Sequence, residues 1–331
     1  MRIEPLGLTA EIERWPLVAP FRITGHVWQT IEVIRVEVRS NGMIGRGEAA
    51  GVYYRGDSPA SMLADIERVR PNIEAGSSRE AVQTLLPPGG ARNALDCALW
   101  ELEARLTGRS VWQAVGLEAP RPLLTTFTCG ADTPENMAAT AKGYAQARAI
   151  KLKLTGEPAD AQRVRAVRAA RPDVWLGVDA NQGFNRRSLE DLLPILLDAR
   201  VALIEQPFPV GQESLLDGLH LPIPLAADES AQTLQDIPRL SSRFSVINIK
   251  LDKCGGLTEA LAMASAARAS GMECMVGNML GTSLAMAPAF LVGQLCRVVD
   301  LDGPIFLRQD RVPGVRYLHG EIDCPDELWG G

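Results

Sequence analysis

The middle third of the chain constrains it most. Five short apolar runs recur there, each closed by charged residues: Ile150-Lys151-Leu152-Lys153-Leu154, Trp175-Leu176-Gly177-Val178-Asp179-Ala180-Asn181, Ala202-Leu203-Ile204-Glu205-Gln206-Pro207, Pro224-Leu225-Ala226-Ala227-Asp228-Glu229 and Val246-Ile247-Asn248-Ile249-Lys250-Leu251-Asp252. From Lys153 to Asp179 is 26 residues, to Glu205 another 26, to Asp228 23 and to Lys250 22. One strand, one helix and two short loops need about that length. A polar group closing each successive strand is what a parallel barrel presents on its active-site face. The pattern reads as two lysines facing each other across a divalent cation held by three carboxylates.

Around this centre the sequence changes grammar once. Segments 2–16, 30–39 and 44–50 alternate apolar and polar residues, the period of half-buried strands, with Asn41-Gly42 as a turn. A loop is expected over 21–28. Helices are expected over 58–70, capped by Asp57 or Ser58 and ended by Pro71, and over 91–106, ended by Gly108. After Pro120, strands alternate with helices: 123–129, helix 134–148, 149–154, helix 158–170, 174–179, helix 187–199, 201–205, helix 212–219, 224–228, helix 232–240, 245–250, helix 257–270, 273–277, helix 281–294 and 297–300. Eight strands in strict alternation imply a closed parallel sheet rather than an open doubly wound one, which gives no reason for polar residues on five successive strand ends. The expected class is α/β: a modified TIM barrel, (β/α)7β, over 119–302. An α+β capping domain is expected over 1–118, completed by the tail 303–331.

Composition narrows the function classes. The 331 residues are 46% hydrophobic and 22% charged with a net charge of -6, which argues against nucleic-acid and membrane-surface partners. The six cysteines form no CxxC pair and read as reduced thiols. With neither a signal peptide nor an apolar run long enough to span a bilayer, a cytoplasmic enzyme is expected.

Asp179, Glu205 and Asp228 are the expected metal ligands, since hard divalent cations prefer carboxylate oxygens. Any one alone would read as a strand cap paired with a surface arginine; three on consecutive units do not. Lys153 and Lys250 lie on strands two and six, opposite one another in a ring of eight, so their amines can approach a bound carbon from its two faces. A lysine base needs a lowered pKa, and burial together with Lys151 and the cation would push it that way.

Taken together, these residues resemble the enolase superfamily, specifically its muconate-lactonizing-enzyme-like subgroup, over nearly the whole chain. The resemblance implies Lys153 and Lys250 as acid/base catalysts and Lys151 as electrostatic support. It implies Mg2+, or Mn2+, on Asp179, Glu205 and Asp228, and supporting roles for Asn181, Glu229 and Asp252, with Asp252 orienting Lys250 and Glu229 supporting the metal site. A proton removed beside a carboxylate leaves an enediolate, which a cation on its oxygens stabilises. Return of a proton from the opposite face gives the epimer.

Substrate choice falls to the last strand and the cap. Asp300-Leu301-Asp302 resembles the Asp-x-Asp motif of dipeptide epimerases, whose carboxylates hold a substrate ammonium; a plain Asp-Gly turn is the competing reading. Asn278 and Met279 follow strand seven at a helix start. Arg22, His26, Trp28 and Tyr54 are the candidates in the cap, with Trp28 standing where Ala-Glu epimerases carry an arginine. The expected substrate is a dipeptide, with an acidic C-terminal residue as one option. N-acylamino acid racemisation and muconate-type cycloisomerisation are the alternatives. Acid-sugar dehydration is disfavoured because none of His26, His220 and His319 falls near strand seven. A homo-oligomer is expected by analogy with relatives.

Overall fold

Eight strands lie side by side in chain order in one parallel sheet: Thr126–Cys129, Ala149–Lys153, Trp175–Asp179, Val201–Glu205, Leu225–Ala227, Val246–Ile249, Glu273–Val276 and Val298–Val299. The structure, a computed structural model, describes residues 6–23 and 26–331. The expected start of the first strand at 2–5 and the loop residue Gly25 lie outside the described residues. The sheet is a nearly closed barrel. Its ladder does not continue from the eighth strand to the first; side chains bridge that seam instead. Leu301 N donates to Thr125 Oγ1 at 3.0 Å, Thr128 N donates to Asp302 Oδ2 at 2.6 Å, and the Thr126 hydroxyl donates to Asp300.

Strand alternation builds two layers from the same runs. Ile150, Leu152, Leu154, Val178, Ile204, Ile247 and Ile249 face outward into the core shared with the helices. Inside the barrel, Leu203, Ala226, Val246 and Met275 form a separate apolar plug with Trp175 packed against it. The polar strand ends sit above that plug, so burial of the hydrophobic runs fixes the positions of the charged ones.

The helix expected over 134–148 ends at Gly143, and the connections differ from expectation in three further places. The expected helix over 212–219 is a single 3-10 turn, Glu213–Leu216, because Gly218 takes a left-handed conformation (φ 76°) and Pro222 and Pro224 follow. The fifth connection is broken into Leu234–Asp236 and Ile237–Leu240, with Pro238 in the first turn of the second piece. A one-turn helix, Leu251–Cys254, follows strand six before the longer Leu257–Ala269.

The cap is a three-stranded antiparallel sheet, Gly7–Ile23, His26–Ser40 and Met43–Ala49, packed against helices Pro59–Glu74 and Gly90–Thr107, with the short helix Arg79–Leu85 packed on the latter. Two expectations fail here. Within the expected loop over 21–28 the described residues 21–23 and 26–28 are strand: after an irregularity between Pro16 and Phe21 the ladder resumes with Phe21 opposite Trp28. Phe21 also packs on Phe306 with ring centroids 4.8 Å apart, which favours extended backbone there. Pro71 does not end the first helix, which runs on to Glu74. Proline removes one helix hydrogen bond, but Ile66, Val69 and Ile73 bury the last turns and hold the helix together. Ser58 caps it as expected, and Gly108 ends the long third helix with φ 63°.

The tail touches both parts. Its strands Arg316–Leu318 and Glu321–Asp323 pair with each other, and the second also pairs with Leu123–Leu124 just before the first barrel strand. Trp329 Nε1 donates to Arg46 O at 2.9 Å, and Arg311 pairs with Glu48 on the third cap strand. All six cysteines are free, and Cys97, Cys129, Cys254 and Cys274 are buried. Among the described residues, no helix is long and apolar enough to cross a membrane.

Candidate active site

Asp179, Glu205 and Asp228, on the ends of strands three to five, bring carboxylate oxygens within 4.8 Å of one another, and all three are buried. Each has one oxygen fixed by the protein. Asp179 Oδ1 accepts from Asn181 N at 2.8 Å, Glu205 Oε1 from Asn248 Nδ2 at 2.7 Å, and Asp228 Oδ1 from Lys253 Nζ at 2.5 Å. The second oxygens behave differently. Asp179 Oδ2 pairs with Lys153, and Asp228 Oδ2 with Lys250 at 2.7 Å. Glu205 Oε2 is in ion-pair range of Lys151 at 3.2 Å but accepts no hydrogen bond, although buried. Three carboxylates, each with one anchored oxygen and one left toward the others, are a donor set that fits a hard divalent cation.

The electrostatics agree. Burial, then repulsion from Asp179, pushes the Glu205 carboxyl up to about 8. Burial, then Asp228 and Asp179, pushes Glu229 up to about 7. Such crowding is what a cation relieves. The expected lowering of a lysine pKa counts on a bound cation; with the protein's own groups alone the lysines shift the other way. Burial works against the charge of Lys250, but Asp228 and Glu205 overcome it and raise its pKa well above the usual lysine value. Lys151 is likewise raised, by Asp300, Glu205 and Asp179 against burial. The reason is local charge balance: the carboxylates beside each lysine outweigh the neighbouring cations. A lowered lysine pKa therefore requires the carboxylates' charge to be offset.

A cavity of about 150 Å3 opens between barrel and cap, lined by Lys151, Lys153, Asn181, Asp228, Glu229 and Lys250 on the barrel side. Asn278, Met279, Asp300 and Asp302 line it from strands seven and eight, and Trp28, Tyr53 and Tyr54 from the cap. Arg22 and His26 are not among the lining residues. Arg22 is exposed on the first strand, and His26 stacks on Trp28 with centroids 5.4 Å apart and meets Tyr53 edge-on at 4.3 Å.

The two strand-eight carboxylates are not equivalent. Asp300 is committed to Lys151 and the Thr126 hydroxyl, and Lys151 with Thr126 holds its pKa down despite burial. Asp302 gives Oδ2 to Thr128 N, and burial followed by repulsion from Asp300 pushes it up to about 6. Asn278 Nδ2 donates to Asp300 O at 2.6 Å, tying the strand-seven turn to strand eight. Glu229 Oε1 accepts from Asn181 Nδ2 at 3.3 Å while Oε2 has no partner among the described residues.

Asp252 departs from its expected place. Its Oδ1 accepts from Gly51 N at 2.8 Å and it makes no pair with Lys250. It faces the cap because the one-turn helix after strand six rotates it away from the barrel axis. Three positioning residues escaped the sequence reading. Lys253 Nζ donates to Asp228 Oδ1, to Asp228 O at 2.6 Å and to Asn248 O at 3.0 Å, using all three of its hydrogens. Asn248 fixes Glu205, and its place two residues before Lys250 on an alternating strand was the available signal. Gln206, at φ 36°, accepts from Asp228 N at 2.9 Å and donates to Phe208 O.

Residues 7–116 match the mandelate racemase / muconate lactonizing enzyme N-terminal domain, and residues 136–328 match the enolase C-terminal domain-like family. The chain belongs to the enolase superfamily. Within it, the chain is 40% identical over 312 residues to L-Ala-D/L-Glu epimerase of Escherichia coli, covering 94% of this chain and 97% of that one. It is 41% identical over 253 residues to N-acetyl-D-glutamate racemase of a Pseudoalteromonas species, covering 76% and 79%. A solved enolase family member from Agrobacterium tumefaciens with homology to dipeptide epimerases, holding sodium and L-Ala-L-Glu, superposes with a TM-score of 0.95. It shares 40% identity, over 98% of this chain and 100% of that one.

Proposed function

We propose that this enolase-superfamily member is a dipeptide epimerase that inverts the α-carbon next to the C-terminal carboxylate, with L-Ala-D/L-Glu as the first substrate to test. The observation that carries the reading is the pair Lys153 and Lys250. They come from opposite strands of the barrel, both line one cavity, and each sits on a carboxylate of the acidic triad.

The mechanism uses this chain's own groups. One lysine, as the free amine, takes the α-proton; the other, as ammonium, returns a proton to the opposite face, so configuration inverts and no group is lost. Asp179, Glu205 and Asp228 would hold Mg2+ or Mn2+, which when bound supplies positive charge against the negative charge growing on the substrate carboxylate. Lys151 adds charge beside Glu205, and Asn181 and Glu229 support the ligand set. Asp302, with Asp300 behind it, takes the substrate ammonium, while Asn278, Met279, Trp28 and Tyr54 shape the remaining surface. Arg22 and His26, which do not line the cavity, stand second to these as candidates to meet an acidic side chain. The functional parts are the cap, 1–118 with 303–331, and the barrel, 119–302, in a cytoplasmic homo-oligomer.

N-acetylglutamate racemisation is the second reading, supported by the likeness to N-acetyl-D-glutamate racemase. Purified protein with Mg2+ should be offered L-Ala-L-Glu and N-acetyl-L-glutamate separately, with product stereochemistry read by chiral chromatography. Conversion of the dipeptide at the higher kcat/KM supports the proposal. Preference for the N-acetyl compound transfers it to the second reading, and turnover of neither contradicts both.

A further inference from the structure

The oxygens a cation needs are the ones two lysines hold. By elimination, the inward oxygens of the triad are Asp179 Oδ2, Asp228 Oδ2 and Glu205 Oε2, because Asn181 N, Lys253 and Asn248 fix the other three. Lys153 Nζ donates to the first of these and Lys250 Nζ to the second. All four groups are buried, so each pair acts in a medium where an ammonium is a strong counter-charge. Lys253 cannot trade places with Lys250. Its three hydrogens are spent on Asp228 Oδ1, Asp228 O and Asn248 O, and it does not line the cavity. Lys153 and Lys250 do line it, each with one carboxylate hydrogen bond, so both can swing away without breaking other contacts.

We infer that Lys153 and Lys250 are resident counter-ions of the metal site, and that cation binding and these two ion pairs exclude each other. Loading the cation releases both amines from the carboxylates at the moment that substrate chemistry requires them. An exchange of this kind ties the readiness of the bases to the presence of the metal. It also explains how three buried carboxylates coexist stably before loading. The inference rests on the proposed two-lysine reading.

The test is metal affinity, not turnover. Mg2+ binding to wild type, Lys153→Met and Lys250→Met is measured by titration calorimetry, with Mn2+ as a second probe followed by electron paramagnetic resonance. Crystal structures of metal-free and Mg2+-loaded wild type accompany it. Each variant should bind Mg2+ roughly tenfold or more tightly than wild type, about 1.4 kcal/mol. In the loaded crystal, both Nζ atoms should have left hydrogen-bond distance of Asp179 Oδ2 and Asp228 Oδ2. Unchanged or weaker affinity in both variants overturns the inference, as does a loaded structure in which the two pairs persist. Should a variant fail to fold, the crystal comparison alone decides. Wild type that binds neither cation would instead defeat the proposed function itself.

Discussion

Asp252 Oδ1 accepts a hydrogen bond from Gly51 N at 2.8 Å, joining the turn after Lys250 to the cap segment that leads into Tyr53 and Tyr54. One residue further on, Arg55 Nη1 reaches Lys253 O at 3.2 Å and Gln232 Oε1 at 3.0 Å, so the cap loop is pinned to the same turn twice. The cap aromatics and one proposed base thus share a mount. Asp252→Ala should lose one buried hydrogen bond, about 1–3 kcal/mol, and raise KM for the dipeptide more than it lowers kcat. Steady-state kinetics with a thermal melt check this; a selective kcat loss would instead favour a direct role at Lys250.

Gly277 is required by close approach. A Cβ there would lie 2.8 Å from Asn248 Oδ1 and 3.0 Å from Lys250 Cε. Gly277→Ala should shift Lys250 and Asn248 together and reduce kcat by roughly 100-fold, the cost of about 1 Å of misplacement. Far-ultraviolet dichroism should stay native. Wild-type kcat would mean that Lys250 has room to spare.

The unequal commitments of Asp300 and Asp302 predict unequal phenotypes. Asp302→Asn should cost a dipeptide roughly 10- to 100-fold in kcat/KM, through the lost charge opposite the substrate ammonium, and cost N-acetylglutamate much less. Asp300→Asn should impair both substrates alike, because it removes the shortest of the ion pairs that hold Lys151. Competing kcat/KM measurements on the two substrates separate these outcomes; equal losses in Asp302→Asn would remove the ammonium assignment.

A pH-dependent term in stability lies outside the cavity lining. Asp96 on the third cap helix accepts from Thr258 N at 2.9 Å and Thr258 Oγ1 at 2.6 Å, and burial, outweighing these bonds, raises it to about 6. Its folded pKa is above its unfolded one, so its contribution is fully present below pH about 3.8 and is lost as pH rises through about 6. That two-unit shift corresponds to roughly 3 kcal/mol. Asp96→Asn, neutral throughout, should flatten the stability-against-pH curve in that window, as read by urea unfolding. An unchanged slope would show that Asp96 ionises normally.

The barrel and the triad were legible because apolar periodicity and polar strand ends are local signals. Asp179, Glu205 and Asp228 declare themselves by recurring at equal spacing, and Lys151 and Lys153 by alternating with Ile150, Leu152 and Leu154. What escaped depended on contacts between distant segments. Lys253 carries no periodic or spacing signal, and only the fold places its ammonium beside Asp228. Asp252 stands two residues from Lys250 in sequence, but the single helical turn sends it to the cap. The extension of the first helix through Pro71 and the strand over Phe21 and Trp28 were decided by packing of Ile73 and Phe306, which overrode the local breakers. The direction of the Lys250 pKa likewise depends on how many carboxylates the fold gathers around it and on the cation that would offset them.

The most direct test of the two-base account is α-proton exchange in D2O by the single-lysine variants. Lys153→Met and Lys250→Met, with Mg2+, are each given L-Ala-L-Glu and L-Ala-D-Glu, and loss of the glutamyl α-proton signal is followed by NMR. Neither variant should epimerise, and each should exchange deuterium into only one of the two diastereomers, the opposite one for each variant. Epimerisation by either variant near the wild-type rate, or exchange into both diastereomers by one variant, would contradict the assignment of one lysine to each face.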